Sequence, residues 1–160
     1  QPAPNLIARK LADARILLCA SPDYLARAGT PATPDALSQH ACLAYSYWAG
    51  GDEWTLQGPA GEATVRIDGG LRANNGDVLR EAALAGMGIV LQPDFVVGAD
   101  LAASRLRQVL PDWQVPPVGI HAVYASRSHL APKVRSFIDF LVEAFAAGAG
   151  TQAAGSASRR

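Results

Sequence analysis

The densest cluster of side chains able to do chemistry is Asn74-Asn75-Gly76-Asp77, directly before an apolar stripe of helical spacing, Val78, Leu79, Ala82 and Ala83. An Asn at a helix start can accept hydrogen bonds from the backbone N–H groups of the first turn. A second Asn beside it leaves one amide and the remaining N–H groups unspoken for. The helix dipole points the same way as those donors, so the cluster suits a small anion or a polar ligand group. Asp77, inside the first turn, would partly oppose a full negative charge. The same residues also make an ordinary capped helix, and spacing alone favours that reading.

Other chemistries find less support. No Ser lies in a GxSxG turn, so a nucleophile elbow has no candidate. His40, His121 and His129 are far apart, and His121 falls inside a strand pattern where a structural imidazole is expected. His40 and Cys42 form a lone HxC pair, short of the four ligands of a structural zinc site. Asp52 and Glu53 sit in a Gly-Gly-Asp-Glu turn that reads as solvated surface. Gly86-Met87-Gly88 follows a helix and precedes a strand, the reverse of the order in a dinucleotide fingerprint. Neither a cofactor nor a metal is expected, and no enzymatic activity is assigned.

The whole chain has 160 residues, 14 basic and 14 acidic side chains, and 49% apolar residues. That is one domain's worth of chain with enough apolar surface for a core. The scattered charge excludes a basic face for nucleic acid. Cys19 and Cys42 lack metal-ligand spacing and read as small buried residues in a reducing compartment. No apolar run reaches the about 20 residues of a membrane span. The opening residues, QPAPNLIARK, carry no signal-peptide pattern and start without Met, as an excised piece would.

Strand and helix signals alternate. Arg15–Ala20 reads as a strand covered on both faces. Ser21, Pro22 and Gly29 supply the cap, first turn and exit of a short helix. Thr33-Pro34-Asp35 starts a second one. Ala41–Tyr45 is a strand candidate. Trp54–Gly58 and Ala63–Gly69 alternate with period two around Gly58-Pro59-Ala60-Gly61, which predicts a hairpin. Leu71–Ala73 leads into the paired Asn residues, and Gly86 ends the helix that follows. Gly88–Leu91 is a brief strand stopped by Pro93, Phe95–Ala103 a helix, and Val118–Tyr124 the last strand. Pro132 opens a helix whose Val134, Phe137, Ile138, Leu141, Val142 and Phe145 share one face, with Arg135 and Asp139 paired at i, i+4. Residues 146–160, AAGAGTQAAGSASRR, are expected to be a disordered tail. Trp48, Trp54 and Trp113 are core or interface residues, and Tyr24 and Phe95 need only packing roles. The class is α/β with a mixed central sheet flanked by helices.

Three stretches together resemble the C-terminal, effector-binding (substrate-binding) domain of LysR-type transcriptional regulators. The first runs from Leu6-Ile7-Ala8-Arg9-Lys10-Leu11 through CASPDYLARAGTPATPDAL to HACLAY. The second is LRANNGDVLREAALAGMGIVLQPDFVV with DLAASRLRQVLPDW. The third is HAVYASRSHLAPKVRSFIDFLVEAF. The resemblance spans roughly residues 6–145, in the family's order.

It implies a fold like the type 2 periplasmic binding proteins, with a small effector held between two lobes joined by crossover strands. Residues 1–145 would then be a partial domain: most of the second lobe, plus the strand and helix that return to the first. The chain carries no helix-turn-helix, so DNA would be met only through an N-terminal segment absent from it. The resemblance places Asn74, Asn75 and Gly76 at the cleft-facing helix start, and Ser21 and Tyr124 near the hinge. Gln92 stands before Pro93 where relatives often carry an apolar residue; it adds an amide at the cleft wall or faces water, and both readings stay open. Ser104 replaces a common Gly, affecting only its turn. A cytoplasmic homo-oligomer is implied, with a small-molecule effector and no membrane. The wide apolar face of the last helix, with Phe140 off its main stripe, also predicts self-association. A free solute-binding protein of similar fold, needing an export signal and two whole lobes, and a small α/β enzyme are the alternatives.

Overall fold

The computed structural model describes residues 6–125 and 131–156. The chain divides into two compact units, Arg15–Pro117 and Gln1–Ala14 with Val118–Arg160.

In Arg15–Pro117, strand β1 (Leu6–Ala20) ends in helix α1 (Pro22–Ala28) and a 3-10 turn over Pro34–Gln39. Then come β2 (Cys42–Tyr45), the hairpin β3 (Glu53–Gly58) and β4 (Gly61–Arg66), β5 (Gly69–Ala73), α2 (Gly76–Leu84), β6 (Ile89–Pro93), α3 (Asp94–Ala102) and β7 (Arg107–Gln108). The sheet order is β5-β2-β6-β1-β7. β2 runs parallel to both β5 and β6, whereas β1 runs antiparallel to β6 and β7. Parallel partners need a crossover, and α2 supplies it between β5 and β6.

Side chains alternate across the sheet and feed two cores. Ile16, Leu18 and Ala20 of β1 join Cys42, Ala44, Ile89 and Leu91 in a core closed by α1, the 3-10 turn and the hairpin's Trp54, Leu56 and Val65. Cys19, Leu43 and Val90 face the opposite way, against Leu79, Ala82 and Ala83 of α2 and Val97 of α3. The hydrophobic run of β1 is therefore covered on both faces, as its composition predicts. Burial pushes the Cys19 and Cys42 thiols up to about 12, with Asp100 adding to the first and Asp68 to the second.

The local signals at α1 are fulfilled. Ser21 Oγ accepts from the Tyr24 N–H at 3.2 Å, Pro22 opens the helix, and Gly29 leaves it at φ 85°. Gly86 turns the chain after α2 at φ 76°, in the left-handed region that favours glycine. Ser104 holds φ 57° after α3, the conformation for which a glycine is the easier choice.

Several expectations are corrected. The turn after Thr33 is a 3-10 helix, and Thr33 makes no side-chain cap bond. Phe95 is 63% exposed and does not pack. His121 is exposed on its strand, its Nδ1 3.1 Å from the Gly119 carbonyl oxygen, so it is no core imidazole. His129 lies outside the described residues.

In the other unit, β8 (Val115–Ala125), which begins in the first, pairs with β1, and α4 spans Pro132–Ser156. Ile138 is buried, but Phe137 and Phe140 are both exposed, with ring centroids 6.5 Å apart. Asp139 pairs with Arg9 Nη1 at 2.8 Å instead of Arg135, because β1 offers a guanidinium from across the chain. α4 continues past Phe145 to Ser156, through residues read from the sequence as a tail; its alanines favour a helix there, and Gly148, Gly150 and Gly155 weaken it. Residues 157–160 lie outside the described residues.

Asp100 is the one fully buried carboxylate among the described residues. Arg80 of α2 donates to its two oxygens at 2.5 and 2.9 Å, and Arg105 donates twice to Oδ1 at 2.8 and 2.6 Å. The Arg80 hydrogen bonds hold the Asp100 carboxyl below its usual value against the opposing effect of burial, and Arg105 adds to the lowering. The folded group thus binds its proton less readily than the unfolded one. Its stabilisation is complete above the ordinary carboxylate range and is lost as pH falls through the folded value. Asp100→Ala is expected to cost roughly 3 kcal/mol in urea unfolding at pH 7, the lower end for breaking a buried pair, since both guanidiniums can turn to solvent. Asp100→Asn should show a flatter loss of stability below about pH 4 than the parent chain.

Candidate functional site

β2, β5 and β6 are parallel, so their carboxyl ends lie along one edge of the sheet. In open α/β sheets that edge is where ligands are held. Asn74 and Asn75 follow β5 at this edge, and Gln92 is near the end of β6.

Asn75 caps α2. Its Oδ1 accepts from the Asp77 N–H at 2.8 Å and the Val78 N–H at 3.4 Å. Two donors of the first turn are thereby satisfied. Among the described residues the Gly76 N–H has no partner, and Asn74 stays exposed beside it. Leu79, one turn on, is fully buried and ties the helix start to the sheet; Val78, at the edge of its stripe, is 49% exposed.

Gln92 follows the alternation of β6. Val90 points to the α2 face, so Gln92 does too, and it is only 3% exposed. A Cβ on Gly76 would stand 3.0 Å from Gln92 Oε1 and 3.7 Å from Nε2. With a side chain at 76 this amide would have to give by a few tenths of an ångström. Gln92 does not face open water. Among the described residues its amide makes no hydrogen bond, yet none of their buried side-chain nitrogens or oxygens lacks a partner, so its small exposed area is at the amide tip.

Ser21 does not join this group. β1 is antiparallel to β6, so the carboxyl end of β1 lies at the opposite edge of the sheet. There the Ser21 hydroxyl, already capping α1, sits beside Gly86, at the other end of α2. Tyr124 is half-buried on β8 and belongs to the other unit. The structure thus brings Asn74, Asn75, Gly76 and Gln92 together.

The surrounding charges are engaged elsewhere. Arg80 is committed to Asp100 and Glu81, and Arg15 Nε to Asp94 Oδ2 at 3.1 Å. Arg72 pairs with Asp52. His40 Nδ1 is 3.0 Å from the Tyr24 hydroxyl and Cys42 Sγ donates weakly to the Leu37 carbonyl, so the HxC pair is drawn into packing. Among the described residues no three His, Cys, Asp or Glu side chains gather as a metal site. The α2 start offers neutral donors and the amide oxygens of Asn74 and Gln92, an arrangement for holding an oxygen-rich or amide-bearing group. The Arg80–Asp100–Arg105 network, which ties α2 to α3, was not foreseen; its partners come from separate segments, and no spacing announces it.

The fold is that of a periplasmic-binding-protein-like lobe. The LysR substrate binding domain family model matches residues 1–146, and the chain belongs to that family. It is 37% identical over 149 residues to the HTH-type transcriptional regulator DmlR of Escherichia coli, covering 90% of this chain and 47% of that protein. The regulatory domain of CrgA from Neisseria meningitidis superposes with a TM-score of 0.78 at 34% identity, over 91% of this chain and 71% of that one. Full-length AphB, a virulence activator of Vibrio cholerae, gives 0.78 at 34% identity, over 91% and 50%. The chain spans about half the length of the curated relatives it matches.

Removing the α2 cap tests its energetics. Asn75→Ala is expected to lower stability by about 1 kcal/mol, and Asn75→Gly by only a few tenths, in chemical denaturation. An Asn75→Ala variant as stable as the parent chain would show that the Asn75 oxygen is not what holds the first turn.

Proposed function

We propose that this chain is the effector-sensing and oligomerisation part of a cytoplasmic LysR-type transcriptional regulator. The observation that carries the reading is the convergence of Asn74, Asn75, Gly76 and the buried Gln92 at the carboxyl edge of a parallel sheet, in a chain of this family. The four residues supply one wall of an effector site. Tyr124 is assigned a place near the return crossover, and Ser21 a capping role only.

The mechanism is population shift, without chemistry. A small molecule that binds one arrangement of a regulator better than another biases the equilibrium by its difference in affinity. DNA is contacted through a helix-turn-helix outside this chain. In a whole protein carrying this chain, a metabolite that binds the site should change affinity for the protein's own promoter by about 5- to 150-fold, the usual range of allosteric coupling. Gel-shift titration across a metabolite panel measures it. A promoter affinity unmoved by every fraction of a cell extract would defeat the reading.

Assembly is the second part of the proposal. Phe137 and Phe140 expose a stacked aromatic pair on α4, and apolar surface of this kind associates. Light scattering is expected to show a concentration-dependent mass above 16.7 kDa, reduced by Phe137→Ser/Phe140→Ser. A constant monomeric mass at high concentration removes α4 from the assembly.

A further inference from the structure

We infer that Gln92 makes the α2 start selective for an uncharged ligand group carrying a donor and an acceptor side by side, as a carboxamide does, over a carboxylate. This rests on the effector-site reading and deepens it.

Gln92 is only 3% exposed, its amide lies against Gly76 with its tip reaching solvent, and it has no hydrogen-bond partner among the described residues. Whichever way it is turned, a primary amide presents one N–H edge and one oxygen edge. A ligand covering it must satisfy both, because a buried polar atom left unpaired costs more than a hydrogen bond gains. A carboxamide does so reciprocally: its N–H donates to Gln92 Oε1 while its oxygen accepts from Gln92 Nε2. A carboxylate has only acceptors. It can take the Nε2 donor, but its second oxygen then confronts Oε1.

The electrostatics point the same way. Arg15, Arg72 and Arg80, on β1, β5 and α2, are each paired with a carboxylate. Asp77 already places a negative charge in the first turn, offsetting the helix dipole. A ligand carboxylate would be desolvated there against that charge, with neutral donors alone to replace its water. An uncharged amide loses less on entry, and its oxygen can still reach the free Gly76 N–H.

Acetamide and acetate are near-isosteric and differ in the two features at issue, the N–H donor and the charge, so they serve as probes. In ¹⁵N-correlated NMR of this chain, acetamide should move the Gly76 backbone and Gln92 side-chain resonances along saturable curves. Acetate should bind there roughly tenfold or more weakly, the scale of an unmade buried hydrogen bond. Gln92→Leu should abolish the acetamide response while the remaining spectrum stays dispersed. Gly76→Ala, whose methyl would push the amide aside by a few tenths of an ångström, provides a second variant and should weaken the response. Equal responses to the two probes, an unchanged response in either folded variant, or no response to either probe at Gly76 and Gln92 would each overturn the inference. The promoter titration reads the whole protein and the fragment titration only the α2 start, so either can fail while the other stands.

Discussion

The two-residue alternation of β6, locked between two cores, is the constraint on which the site depends. Ile89 and Leu91 enter the core beneath the hairpin, and Val90 enters the core beneath α2 and α3. Gln92 then has no choice of face. It must point toward α2, where Gly76 leaves room for it. A slip of one residue in the pairing of β6 with β1 would put Val90 under the hairpin and Gln92 with it. The polar group is thus positioned by apolar neighbours, whose burial specifies register far more strongly than an amide could.

The same edge explains the division of labour along α2. Its start is polar and partly open, with Asn75 satisfying two backbone donors. Its middle is anchored by Leu79, Ala82 and Ala83, and Arg80 fastens it to Asp100 of α3. A helix held this firmly can leave one backbone donor at its start without fraying. Rigidity behind the proposed site would reduce the ordering cost of holding a ligand with a few neutral hydrogen-bonding groups.

Much of this was legible in the sequence because the signals are local. Ser21-Pro22 and Gly29, the Asn75 cap, and the hairpin around Pro59-Ala60 all depend on residues within a turn of one another. The motif order from Leu6 to Phe145 was enough to point to the family. What escaped depends on distant partners. Asp139 looks committed to Arg135 until β1 brings Arg9 to it. Ser21 looks adjacent to the site until the antiparallel run of β1 carries it to the other edge. Gln92 stayed undecided because the orientation of a residue at a strand's end depends on register, and register is a property of pairs of strands. Phe95 shows the converse, a large apolar side chain whose type suggested packing that its place at the start of α3 does not provide.

Among the described residues, β1 precedes every strand it pairs with. β6, β7 and β8 all follow it in the chain, whereas the hairpin closes on itself and β2 finds β5 across that hairpin. During synthesis, Ile16 to Ala20 therefore leaves the ribosome as an apolar ribbon with both edges bare, waiting while local structure forms downstream. Such a ribbon is where a nascent chain is most open to pairing with the wrong neighbour. The central position that makes β1 secure in the finished sheet also makes it the segment most in need of a chaperone's cover.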